Sequence, residues 1–217
     1  AVTAEEAKVM GPWLKLSAHL GRFIGQMTDE PIKTINILYD GSVSDMNLEA
    51  LNCAVVAGIM KRSNPDVNLV SAPFIAKERG IQISTTNQDK SGVYEGYIKV
   101  TVVTDIRERS VAGTVFSDGK PRFIQIKGIN IDAEIGAHML YTTNKDVPGV
   151  IGTLGQIMGA NDVNIANFTL GRAQEGGEAI ALLYADHPIP AFVLEELADT
   201  GVFRQIKPLK FDLNYTF

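Results

Sequence analysis

Asn144-Lys145-Asp146-Val147-Pro148-Gly149-Val150 is the stretch on which the reading of this chain turns. Before it, Met139 to Thr143 reads as a strand. After it, Val150, Leu154, Ile157 and Met158 recur at helical spacing. The stretch is therefore a strand-to-helix turn. Pro148 presets the backbone angle for helix entry, and Gly149 has no side chain to keep a ligand from the unpaired amides of the first turn. Those amides and the helix dipole favour an anion such as an amino-acid carboxylate. Asp146 offers a negative partner for an ammonium group, while Asn144 and Asn164 can donate and accept hydrogen bonds to a small polar side chain. Pro148, Gly149 and Val150 would line the carboxylate end of such a site. Capping draws on the same residue types. On local composition alone that reading stands beside the ligand one.

Toward the C-terminus the pattern continues as strand Ile165 to Gly171, strand Glu178 to Asp186, helix Pro190 to Thr200 and strand Val202 to Phe211. Val193, Leu194 and Leu197 form the stripe of that helix, and Gly201 closes it. The order βαββαβ predicts the split, ferredoxin-like arrangement of four antiparallel strands under two helices. Toward the N-terminus the pattern fades between Gly128 and Ala137, which places a domain boundary between 136 and 137.

The first domain, 1–136, reads as mixed α/β, which makes the whole chain α+β. Val9, Trp13, Leu16, Leu20, Phe23, Ile24 and Met27 describe one amphipathic helix over Thr3 to Thr28, capped at Thr3, with Pro12 as a point of kinking or splitting. A strand over Lys33 to Asp40, a helix over Leu48 to Lys61 capped at Ser44 or Asp45, and a short helix after Pro73 follow. Ile81 to Thr85, Tyr94 to Asp105, Ser110 to Phe116 and Pro121 to Lys127 are rich in Val, Ile, Thr, Tyr and Phe and predict strands. Asp118-Gly119 marks a hairpin between the last two, and Thr86 to Val93 reads as an exposed hairpin loop. Arg107, Arg109, Lys120, Arg122 and Lys127 gather around these strands. Lys120 and Arg122 are candidates for a phosphate or other anion, against the commoner reading of a solvated, aggregation-resistant edge.

The totals narrow the function classes. The 217 residues carry a formal net charge of -5, which gives no electrostatic reason to expect nucleic acid. No stretch has the length of a membrane span, and no secretory leader is visible, so a cytoplasmic protein is expected. The single cysteine, Cys53, cannot form an internal disulfide and reads as a small buried hydrophobe. One cysteine and the scattered His19, His138 and His187 supply neither a metal site nor an acid-base constellation. No G-x-G-x-x-G run occurs. Gly152-Thr153-Leu154-Gly155 lies within a helix and is a packing feature.

Asn144-x-Asp146-x-Pro148-Gly149, a helix, then Asp162-Val163-Asn164-Ile165-Ala166 leading into a strand, resembles the ACT domain family, whose members sense amino acids, commonly between two copies. Asn68 to Pro73, Ala76 to Ile81, Val111 to Phe116 and Gly119 to Arg122 resemble the intervening, allosteric-substrate-binding domain of the D-3-phosphoglycerate dehydrogenase family. The two segments stand in the expected order and cover nearly the whole chain. The resemblance implies a regulatory region with no catalytic residues of its own. NAD would be bound by a catalytic region elsewhere, no cofactor by these residues. L-serine would be the effector, held by Asn144 and Asp146 with Asn164 supplied by the partner of a homodimer or tetramer. Two rival readings are a regulatory module of an L-serine dehydratase and a free-standing amino-acid sensor.

Overall fold

The computed structural model describes residues 3–90 and 92–214. It divides into two compact units, 1–127 and 128–217.

The first unit opens with α1 (Ala4–Met27). Thr3 caps it in a capping box: its hydroxyl accepts from the Glu6 N–H, and the Glu6 carboxylate accepts from the Thr3 N–H. The helix runs as one element through Pro12 and is not split there. Next come β1 (Ile32–Gly41), a 3-10 turn over Ser42–Asp45, α2 (Leu48–Met60) and α3 (Ala72–Glu78). The cap of α2 is Asn47, whose side chain accepts from the Ala50 N–H. Ser44 and Asp45, expected to cap it, are already committed to the 3-10 turn. β2 (Gln82–Gln88), β3 (Gly96–Thr104), β4 (Glu108–Val115) and β5 (Pro121–Ile126) complete the unit.

Its strands lie in the order β2-β1-β3-β4-β5. β1 is parallel to β2 and antiparallel to β3. The expected hairpin across Thr86 to Val93 is therefore absent: β2 runs on to Gln88, and β1 lies between the two strands it would have joined. Ser91, within that stretch, falls outside the described residues. The α2–α3 segment is thus a crossover between parallel strands, which needs more chain than a hairpin does. The Asp118-Gly119 hairpin is present, with φ of +78° at Gly119. Leu16, Leu20, Phe23 and Ile24 of α1 and Leu51, Val55 and Ile59 of α2 are buried with Ile35, Ile37, Val100, Val102, Val111 and Phe123 of the sheet. This is the core of the unit.

The second unit begins with β6 (Ile129–Glu134), a strand in the segment where the pattern had faded. Lys127 and Gly128, just before it, both take positive φ. Within the unit the Tyr184 hydroxyl donates to Glu134 Oε2 at 3.1 Å, and the backbone of Asn130 lies close against Gly171. These contacts draw the division at 127/128, upstream of the expected 136/137. β7 (His138–Lys145), α4 (Val150–Ala160), β8 (Ile165–Arg172), β9 (Glu178–Ala185), α5 (Ala191–Asp199) and β10 (Phe203–Lys210) follow in the expected βαββαβ order. The antiparallel sheet runs β10-β7-β9-β8. Leu140 and Leu183 pack with Leu154 and Met158 of α4 and Val193 and Leu197 of α5.

Candidate functional site

β7 delivers Asn144 and Lys145 to the rim of its sheet, and α4 starts five residues later at Val150. Gly149 is the N-cap, with φ +95° and ψ -15°, a conformation that L side chains rarely adopt. No side chain caps this helix, and a Cβ on Gly149 would meet nothing within 4 Å. Pro148 and Gly149 are exposed, while Val150 turns inward and is buried. No side-chain cap thus occupies the first-turn amides, and the positive end of the helix dipole lies there.

Asn144 and Asp146 do not cap α4, whose N-cap is Gly149; both side chains are engaged with the backbone of the turns around it. Asn144 is buried, and its amide nitrogen donates to the Lys145 carbonyl at 2.7 Å. Asp146 turns toward the β8–β9 connection. Its N–H donates to the Gly177 carbonyl at 2.8 Å, and its Oδ2 accepts from the Gly176 N–H at 3.2 Å and from Arg172 Nη1 at 3.1 Å. Gly176, with φ +72°, turns the chain so that its N–H reaches the carboxylate. Arg172 and the Gly176-Gly177 pair were missed from sequence. The only signal was a doubled glycine after a strand, and that announces a turn without naming what the turn holds.

Asn164 is not in this constellation. It follows the C-terminal end of α4, where its amide donates to Asp186 Oδ2 at 2.6 Å. The 11 residues of α4 separate it from Asn144, which is roughly 16 Å of helix axis. Within one chain the two asparagines cannot touch one small ligand.

Arg107, Arg109, Lys120 and Arg122 of the first unit are engaged separately. Arg107 and Arg109 pair with Glu30 at 2.7 and 3.1 Å. Arg109 shares a strand face with Val111 and Gly113, and Gly113 lies under Leu16 of α1. Arg122 lies opposite Thr114, on the other face of the sheet. Its guanidinium sits 4.8 Å from the Phe116 ring centroid and 3.7 Å from Asp118. Lys120 is exposed in the hairpin, where its N–H donates to Asp118 Oδ1. A cleft of about 600 Å³ lies at the ends of α1 and α2, lined by Thr28, Asp29, Glu30, Arg62, Ser63 and Arg79 among others. Its two arginines are held locally: Arg62 donates to the Thr28 carbonyl and Asp29, Arg79 to Ser63 and Asn64.

Among the described residues no cluster of His, Cys, Asp and Glu could hold a metal, and no helix is long and apolar enough to cross a membrane. Among the described residues, no Gly-rich phosphate turn links neighbouring parallel strands. Among the described strands of the first unit the one parallel pair is β1 and β2; the turn that leaves β1, Asp40-Gly41-Ser42-Val43-Ser44, has a single glycine, and the remaining neighbours are antiparallel.

Residues 9–127 match the family described as "D-3-phosphoglycerate dehydrogenase intervening domain". Three proteins named D-3-phosphoglycerate dehydrogenase are similar over most of the chain. That of Bacillus subtilis is 32% identical over 208 residues, covering 95% of this chain and 40% of the relative. That of Synechocystis is 29% identical over 211 residues, with 96% and 38% covered. That of Methanocaldococcus jannaschii is 27% identical over 201 residues, with 91% and 38% covered. The chain therefore spans about two fifths of the length of the relatives it matches. The family match takes in more than half of the chain, from the outer turns of α1 to the end of the first unit, and on it the chain belongs to the D-3-phosphoglycerate dehydrogenase intervening-domain family.

Proposed function

We propose that this chain is the regulatory region of an NAD-dependent D-3-phosphoglycerate dehydrogenase, in which the βαββαβ unit acts as an ACT domain that binds L-serine and signals feedback inhibition. The supporting observation is the uncapped start of α4 beside a fixed carboxylate. Gly149 leaves the first-turn amides open, and the β8–β9 connection holds Asp146 nearby. An amino acid would place its carboxylate on the amides and its ammonium against Asp146. Asn144 lines the inner wall, and Asn164 comes from a second copy, since within one chain it stands at the far end of α4. NAD and the hydride chemistry belong to the catalytic region of the relatives. This chain supplies the switch: serine shifts the enzyme only if it binds the inhibited arrangement more tightly, and a site completed by two copies couples affinity to subunit geometry.

Calorimetric titration of the purified chain with L-serine, accompanied by sedimentation analysis, tests the reading. Saturable heat with the parent chain, its loss in Asp146→Ala, and a serine-dependent change in association are expected. Absence of binding by the parent chain, or unchanged affinity in the variant, overturns it.

A further inference from the structure

We infer that Arg172 is a built-in counter-ion of the amino-acid site, one that stands against Asp146 when no ligand is bound and sets the affinity by competing with the ligand's ammonium group. The inference rests on the reading of that site given above. Three observations carry it. First, the Asp146 side chain is only 22% exposed, so its charge is largely withdrawn from water and calls for a partner. Second, the Arg172 side chain is 55% exposed, so the guanidinium can swing into water and recover its hydration at little cost.

Third, Arg172 is not what holds Asp146 in place. The backbone does that, with the Asp146 N–H on the Gly177 carbonyl and the Gly176 N–H on Oδ2. One hydrogen bond from the turn holds the carboxylate at Oδ2 and a second pins the Asp146 main chain, and both persist whether or not the guanidinium is present. A residue that oriented Asp146 would weaken binding when removed. A residue that only neutralises it would strengthen binding when removed, because the ligand's ammonium would no longer face a competing positive charge. The geometry points to the second case. Arg172 would then raise the serine concentration at which the sensor responds, and would spare the empty site an unpaired carboxylate.

The test compares L-serine affinity by calorimetry in the parent chain, Arg172→Gln and Arg172→Lys, with thermal unfolding of each as a check on folding. Arg172→Gln is expected to bind serine more tightly, by up to about fivefold for an exposed pair worth about 1 kcal/mol. Arg172→Lys keeps the charge and is expected to stay near the parent affinity. In side-chain ¹⁵N spectra of the parent chain, serine is expected to free the Arg172 guanidinium. If the parent binds serine while Arg172→Gln binds it equally or more weakly, the counter-ion role is overturned and the site itself stands. If neither protein binds any of serine, glycine or alanine, both the site and the counter-ion fall together.

Discussion

A Cβ placed on Gly21 of α1 would lie 2.0 Å from the carbonyl oxygen of Val55 on α2. The same crossing is crowded at Gly58, where a Cβ would sit 2.4 Å from the Ala18 carbonyl oxygen. The two helices approach backbone to backbone because neither carries a side chain there. Gly21→Ala and Gly58→Ala are therefore expected to destabilise the first unit by about 1–3 kcal/mol or more, through overpacking against rigid backbone. Denaturant unfolding measures it. Gly155→Ala is the control: it lies inside α4 with nothing within 4 Å of its Cβ, and should stabilise by about 0.4–1 kcal/mol.

Glu30 joins the start of β1 to the strand that carries Arg109. Its carboxyl is held below the usual range, first by a hydrogen bond with its own backbone N–H, then, against the opposing effect of burial, by Arg109 and Arg107. A lowered value means that the contribution is present above the ordinary carboxylate pKa and is lost as pH falls through the folded-state value. Glu30→Gln is expected to cost about 1 kcal/mol or less at neutral pH. The gap between variant and parent should close in acid. Urea unfolding at several pH values checks both statements.

Tyr39 is fully buried in β1 and donates its hydroxyl to Asn52 Oδ1 at 2.6 Å. Burial pushes its pKa well above the ordinary phenol value, and the negative charge of the nearby Cys53 in its thiolate form adds to the shift. The associated stability is complete below the unfolded tyrosine pKa and drains away as pH rises toward the folded one. Tyr39→Phe leaves Asn52 without that donor, at an expected cost of about 0.5–1.5 kcal/mol, and should lose less stability in strong alkali than the parent. Thermal unfolding across the alkaline range reads the difference.

At Gly149 the conformation is the constraint, since φ is +95° while the space around the position is open. Gly149→Ala should cost about 1–3 kcal/mol through backbone strain. It should also weaken serine binding by displacing the first amides of α4. An unaltered melting temperature in that variant would show that the turn tolerates a side chain.

The sequence was legible where one short stretch contains its own physics. Thr3 caps α1; Pro148-Gly149 opens α4; the apolar stripes of α4 and α5 meet Leu140 and Leu183 as spaced. It was less legible where partners are distant. Asn47 outcompeted Ser44 and Asp45 because the 3-10 turn had already used them. The polar run after Thr85 looked like a hairpin loop, yet its first residues pair with β1, a neighbour far away in sequence. Ile129 to Glu134 went unread because a strand with isoleucines alternating with Asn and Asp sits beside small residues that blur its edges.

What the residues determined unaided is the βαββαβ order from β7 to β10 and the helix start at Gly149, because backbone sterics and hydrophobic period act over a few neighbours. Only the tertiary structure decided what Asp146 does. The sequence offered its carboxylate two roles, a cap for α4 or a partner for a ligand's ammonium group, and named neither Gly176 nor Arg172. Folding brings the N–H of Gly176 and the guanidinium of Arg172 to it from across the sheet. The choice between partners was made by that proximity.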